Sequence, residues 1–226
     1  MSPLQYVINF ILHVDQYLIF LIQTFGLWTY VILFGIIFAE TGLVVAPFFP
    51  GDSLIFIAGA FAGSGTLNLL WLFVTFSLGA IVGDTVNYWI GKSAGRKAFH
   101  KNAKYFKEEY LVEAERFYEK HGSSAIIISR FLPIIRTFAP FVAGLGKMKY
   151  RKFLLYNVVG GLAWVSLFLF SGYFFGTITV VRNNLALVIY GIIIVTLLPA
   201  ILKFAGHVMG SKKLQKESDL LSGSKI

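Results

Sequence analysis

Apolar residues run along this chain in blocks too long and too continuous for the cores of soluble helices, broken at a few points by proline, glycine and charge. The block at 67–91 (LNLLWLFVTFSLGAIVGDTVNYWIG) and those at 5–25, 153–178 and 184–202 are each near the ~20 residues needed to cross ~30 Å of hydrocarbon. Four transmembrane helices are therefore expected. Two further apolar stretches behave differently. SLIFIAGAFA (53–62) is too short to cross and joins, through Pro47, Pro50 and Gly51, a helix starting near Trp28, so 28–63 reads as a hairpin. SRFLPIIRTFAPFVAG lies within 122–146, a second apolar segment interrupted by Pro133 and Pro140. From 104 to 120, charged and apolar residues alternate at helical spacing, with Phe106, Tyr110, Leu111, Ala114 and Phe117 on one side. That helix is expected along a membrane interface or as a solvated connector.

Composition makes the membrane reading general. The 226 residues are 57% hydrophobic and 17% aromatic, with mean hydropathy +0.73, beyond what a soluble core requires. One membrane domain, 1–205, and a polar cytoplasmic tail, 206–226, account for the chain. The N-terminal apolar run has neither a basic flank nor a small-residue cleavage site and reads as a retained helix. With no cysteine there are no disulfides or thiolate metal sites.

Charge then sets orientation. The net charge is +9, but no Lys or Arg precedes Lys92; basic residues gather at 92–120, at 147–152 and from Lys203 onward. Such clusters beside membrane segments stay cytoplasmic, which also disfavours a nucleic-acid partner. Segment 122–146 has a basic cluster at each end, so it is expected to enter and leave on the cytoplasmic side as a re-entrant hairpin bent near Pro133 to Pro140. The hairpin at 28–63 then opens outward, and both termini are cytoplasmic. FFPGDSLIFIAGAFAG and RFLPIIRTFAPFVAG share a faint pattern. Opposite hairpins of similar sequence suggest an inverted repeat with its site where the broken helices meet. The expected fold is an all-α integral membrane protein of about four transmembrane helices, two opposed re-entrant hairpins and one interfacial amphipathic helix.

Ionisable residues inside these apolar runs are the candidate chemistry. An arginine at the centre of a membrane helix costs ~2.5–3.5 kcal/mol on insertion scales and usually faces a cavity or partner. Arg130 and Arg136, six apart, lie roughly 120° out of register on an unbroken helix. A break at Pro133 would let both forks turn toward one point and grip a phosphate; alternatively each pairs with a carboxylate or with free carbonyls to hold the hairpin, and Glu40 and Asp52 are the acids expected to neutralise them at rest. Glu40 and Asp52 flank the other bend and are candidates for proton uptake tied to conformation, while Asp52 in PGDS also reads as a helix cap. Gly79, Gly83, Asn87, Gly91 and Gly95 recur every four residues, a stripe for close helix packing. Asp84 and Tyr88, at i and i+4, either line the cavity or brace the helices. Asn157, near Gly160, Gly161 and Trp164, is a buried amide that must find a partner. Pro50, Gly51, Pro133 and Pro140 shape the two bends. The scattered histidines, His13, His100, His121 and His207, have no metal spacing, so neither a metal, a cofactor nor an enzyme is expected.

Taken together, ETGLVVAPFFPGDSL (40–54), GAIVGDTVNYWIGKSAG (79–95), YEKHG (118–122), SRFLPIIRTFAPFVAG (129–144) and the Met148 to Trp164 pattern resemble the DedA family of bacterial membrane proteins, also called SNARE-associated or VTT-domain proteins. The likeness runs from about residue 5 to 205, and is close to DedA-type members proper. It implies a multi-pass protein of the bacterial cytoplasmic membrane tied to envelope integrity, the proton motive force and movement of lipids between leaflets. Its functional acidic and arginine positions fall on Glu40, Asp52, Arg130 and Arg136. The leading expectation is a proton-coupled flippase for undecaprenyl phosphate, the arginines holding the phosphate. The alternatives are a phospholipid flippase or scramblase, a proton-coupled exporter of small cations, and a non-transporting assembly scaffold. The expected partners are a phosphate-headed lipid and the membrane, with the oligomeric state, a homodimer included, left open.

Overall fold

Long apolar runs close their own backbone hydrogen bonds, so helix is the form a chain of this composition adopts. The computed structural model describes residues 14–43, 51–94, 108–146 and 148–176, together with 178 and 191. Its elements are α1 (Val14–Phe25), α2 (Trp28–Gly42), α3 (Gly51–Gly63), α4 (Leu69–Ala94), α5 (Glu108–His121), a 3₁₀ turn (Gly122–Ser124), α6 (Ala125–Ser129), α7 (Pro133–Leu145) and α8 (Tyr150–Phe175). No strand occurs among the described residues. Residues 5–13, the bend at 44–50 with Pro47 and Pro50, residues 104–107, nearly all of the span at 184–202, and the tail lie outside them.

Two helices, α4 and α8, are long and apolar enough to cross a membrane. At 26 residues each they are ~39 Å long. Their outer faces leave Trp71, Leu78, Val82 and Trp89, and Leu155, Leu167, Phe170 and Phe174, exposed, a surface suited to hydrocarbon rather than water. The α3 and α7 helices, 13 residues each, reach only ~20 Å.

Each short helix packs chiefly on a long helix from the opposite half of the chain, α3 on α8 and α7 on α4. Glycine makes both crossings possible. A Cβ at Gly59 would strike the Leu169 carbonyl and one at Gly172 the Phe56 carbonyl; one at Gly91 would strike the Phe141 carbonyl and one at Gly144 the Tyr88 carbonyl. Backbone therefore meets backbone, with a glycine contributed from each side. Further along the expected stripe of α4, Gly83 lies against Thr41 and Gly42 of α2.

The segment 122–146 breaks at its first proline and runs straight through its second. Pro133 opens α7, where its missing N–H costs nothing, and it holds Leu132 extended (φ −122°, ψ 102°). The break is thus at 130–132, while Pro140 sits inside a continuous α7. The amphipathic helix α5 also departs from a free interfacial helix. Phe117 and Tyr118 pack on a cluster of Ile126, Ile135, Ala139 and Ala143, so this face is covered by protein, including α7.

Candidate functional site

Five ionisable side chains from five segments meet in the interior: Glu40 near the end of α2, Asp52 in the first turn of α3, Asp84 in α4, Arg130 in the 130–132 turn and Arg136 in α7. All are less than a tenth exposed. They carry one more carboxylate than guanidinium.

Arg136 is gripped from the other half of the chain. Its Nη2 donates to Glu40 Oε1 at 2.6 Å and its Nη1 to Asp52 Oδ1 at 3.0 Å. Trp164 of α8 completes the arrangement: its Nε1 donates to the same Asp52 oxygen at 2.9 Å, and its ring lies 4.3 Å from Arg136 Cζ. One fully buried indole thus touches both members of an ion pair. Asp52 sits inside α3 with this oxygen turned to Arg136 and Trp164. Gly51 lies directly against the Glu40 carboxylate, which a Cβ there would push aside.

Arg130 has a separate set of partners. Its Nη2 pairs with Asp84 Oδ2 and donates to Asn157 Oδ1 at 2.5 Å. Asn157 is itself fixed by its Nδ2, which donates to the Ile81 carbonyl at 3.0 Å. The two arginine forks share no carboxylate. Because the break precedes Pro133, Arg130 stays in the turn and Arg136 lies a turn into α7, each drawn toward acids on different helices.

Other sequence candidates take structural places. Asp84 and Tyr88 do not bond each other: the Tyr88 hydroxyl donates to the Met148 carbonyl and its ring stacks on Phe153 at 4.5 Å. Asn87 Nδ2 donates to the carbonyls of Thr41 (3.2 Å) and Thr137 (2.8 Å), tying α2 and α7 to α4. Pro50 is outside the described residues. Trp164 is the side chain at the site whose role the sequence hides, since nothing but its spacing, seven after Asn157, sets it apart from the many other aromatics. Among the described residues no group of three or more metal-ligating His or acidic side chains occurs.

The VTT domain family matches residues 49–174, a span that includes Asp52, Asp84, Arg130, Arg136, Asn157 and Trp164 and leaves Glu40 just outside. Among curated relatives, Protein DedA of Escherichia coli K12 is 51% identical over 219 residues, 96% of this chain and all of that protein. An uncharacterized membrane protein of Mycobacterium leprae is 42% identical, covering 82% of this chain and 83% of its own. The inner membrane protein YqjA of Escherichia coli K12 is 33% identical over 65% of this chain and 67% of its own. No solved structure matches. With the family's domain lying over both long apolar helices and all but one of the buried ionisable residues, the chain belongs to the DedA family of VTT-domain membrane proteins.

Proposed function

We propose that the protein is a lipid transporter of the bacterial cytoplasmic membrane that moves undecaprenyl phosphate between leaflets, its phosphate passing the buried arginines while the polyprenyl tail stays in the bilayer. In this reading four transmembrane helices enclose two opposed re-entrant hairpins arranged as an inverted repeat, α2–α3 opening outward and α6–α7 inward, with both termini cytoplasmic. The protein acts as a transporter rather than an enzyme.

The observation that carries this reading is the double grip on Arg136 by Glu40 and Asp52, which belong to the opposing hairpin. A guanidinium that binds two carboxylates in the closed site binds a phosphate by the same geometry once they let go. Protonation of Glu40 removes one of the two charges that hold Arg136, weakens the grip and couples the exchange to protons. A lipid with one phosphate needs a polar path only for its head. Two arginines with replaceable partners supply that path without a wide aqueous channel.

The test is reconstitution in liposomes containing undecaprenyl phosphate, following the accessibility of its phosphate from outside under imposed pH gradients. Gradient-dependent translocation is expected, with Arg136→Lys and Glu40→Gln strongly impaired while still folded. Undiminished translocation in Arg130→Ala and Arg136→Ala would remove the arginines from the mechanism. Loose headgroup choice with indifference to pH would point instead to phospholipid scrambling, and binding of a cationic solute in competition with protons to a small-cation exporter.

A further inference from the structure

Gly79, Gly83, Asn87 and Gly91 follow one another along α4 at intervals of four, and only Asn87 among them has a side chain. Gly79 and Gly83 lie against α2, at the Phe34 carbonyl and at Thr41 and Gly42, whereas Gly91 lies against α7 at the Phe141 carbonyl. Asn87 stands where the stripe passes from the first of these helices to the second. It is fully buried, and its amide reaches both: Nδ2 donates to the Thr41 carbonyl at 3.2 Å and to the Thr137 carbonyl at 2.8 Å. An amide nitrogen has two hydrogens, so these bonds use its donors in full.

The two acceptors adjoin the ion pair. Thr41 directly follows Glu40, and Thr137 directly follows Arg136. Both helices need outside support at these points. Thr41 is the penultimate residue of α2, so its carbonyl is among the last four, which no donor of the same helix serves. In α7, Pro140 has no N–H to give the Arg136 carbonyl four residues back, so the helical ladder is interrupted beside Thr137. The contact from Arg136 Nη2 to Glu40 Oε1 is 2.6 Å. A slide of either helix by one residue, about 1.5 Å, is enough to take it out of hydrogen-bond range. Glycine contacts let the backbones approach but supply no directional bond against such a slide; Asn87 supplies two.

We propose that Asn87 is the positioning residue of the Arg136 grip: by bonding the backbone one residue beyond each partner, it sets the register of α2 against α7 and with it the approach of Glu40 to Arg136. Releasing the grip by moving either helix along α4 breaks one of the two bonds, so Asn87 also sets how readily the hairpins part. That second role rests on the lipid-transport reading; the positioning does not.

The test uses the full chain in detergent with Trp28, Trp71 and Trp89, all exposed, replaced by phenylalanine. Trp164 is then the single indole. Because its Nε1 bonds Asp52 and its ring faces Arg136, its fluorescence reports the geometry of the grip. Asn87→Ala is expected to shift the Trp164 emission, and Asn87→Ser, which keeps one shorter donor, to shift it less. Tyr88→Phe deletes a bond from the next residue of α4 to the Met148 carbonyl and is expected to leave the emission in place. Unfolding in detergent supplies the second measurement. Asn87→Ala should raise the unfolding equilibrium constant about tenfold to a hundredfold. In a background of Glu40→Gln, Asp52→Asn and Arg136→Met, where no grip remains to be positioned, the same substitution should raise it at least about threefold less. Asn87→Ser carries the same cycle should the alanine variant not fold. Equal losses in the two backgrounds, or an emission that moves in neither Asn87 variant, would make Asn87 a brace between helices and overturn the proposal. Liposomes separate the two readings. Coupling between Asn87 and the grip without translocation by the unaltered protein would sink lipid transport and keep the positioning role, whereas translocation with no such coupling would do the reverse.

Discussion

Arg136 and Arg130 are the same residue type six positions apart, yet one is gripped by two carboxylates and an indole while the other has one carboxylate, one amide and two nitrogens without a hydrogen-bond partner among the described residues. The difference teaches that burial of a cation has two distinct uses. Full pairing, as at Arg136, ties residues from both halves of the chain together; partial pairing, as at Arg130, leaves buried donors unsatisfied among the described residues, at the expense of stability.

The sharpest way to break this contrast is Arg136→Ala, which strands Glu40 and Asp52 in the interior and is expected to cost about 3–5 kcal/mol. Thermal or chemical unfolding in detergent would measure it, and adding Glu40→Gln and Asp52→Asn should recover much of the loss. Replacing the other pair outright, Arg130→Met with Asp84→Leu, is expected to be neutral or to stabilise by up to about 4 kcal/mol, because it also removes the unpartnered donors. A loss in the same assay would show that Arg130 is as structural as Arg136. Trp164→Phe keeps a ring beneath Arg136 and deletes the donor to Asp52, for about 1.5–3 kcal/mol; further loss in Trp164→Leu would isolate the contribution of the ring. The mildest change is Tyr88→Phe. Deleting its bond to the Met148 carbonyl should cost about 1 kcal/mol in the same unfolding assay.

The members of this site were legible because ionisable residues in apolar runs conflict with the cost of burying charge, so Glu40, Asp52, Asp84, Arg130 and Arg136 stood out one by one. Their pairing was legible only in part: Glu40 and Asp52 were expected opposite the arginines and both meet Arg136, whereas the pairing of Arg130 with Asp84 was not foreseen. Which acid meets which arginine depends on α3 crossing α8 and α7 crossing α4, contacts between residues too distant in sequence for local periodicity to encode. Trp164 stayed hidden for another reason: in a chain that is 17% aromatic, an indole that braces an ion pair looks like one that fills a core. The break at Pro133 was legible, but Pro133 and Pro140 send the same local signal, and only tertiary context makes one a helix start and the other an interior residue. The helix-packing stripe of α4 was readable because a period of four glycines has few uses besides close approach.

The grip on Arg136 has a consequence for how the chain is made. Glu40 and Asp52 precede their cation by 96 and 84 residues, so during synthesis both acids are made well before Arg136 can neutralise them. At ~5–20 residues per second, Glu40 waits roughly 5–20 s for Arg136 to emerge. The two acids of the N-terminal half therefore stay without their cation until Arg136, from the other half, has been made.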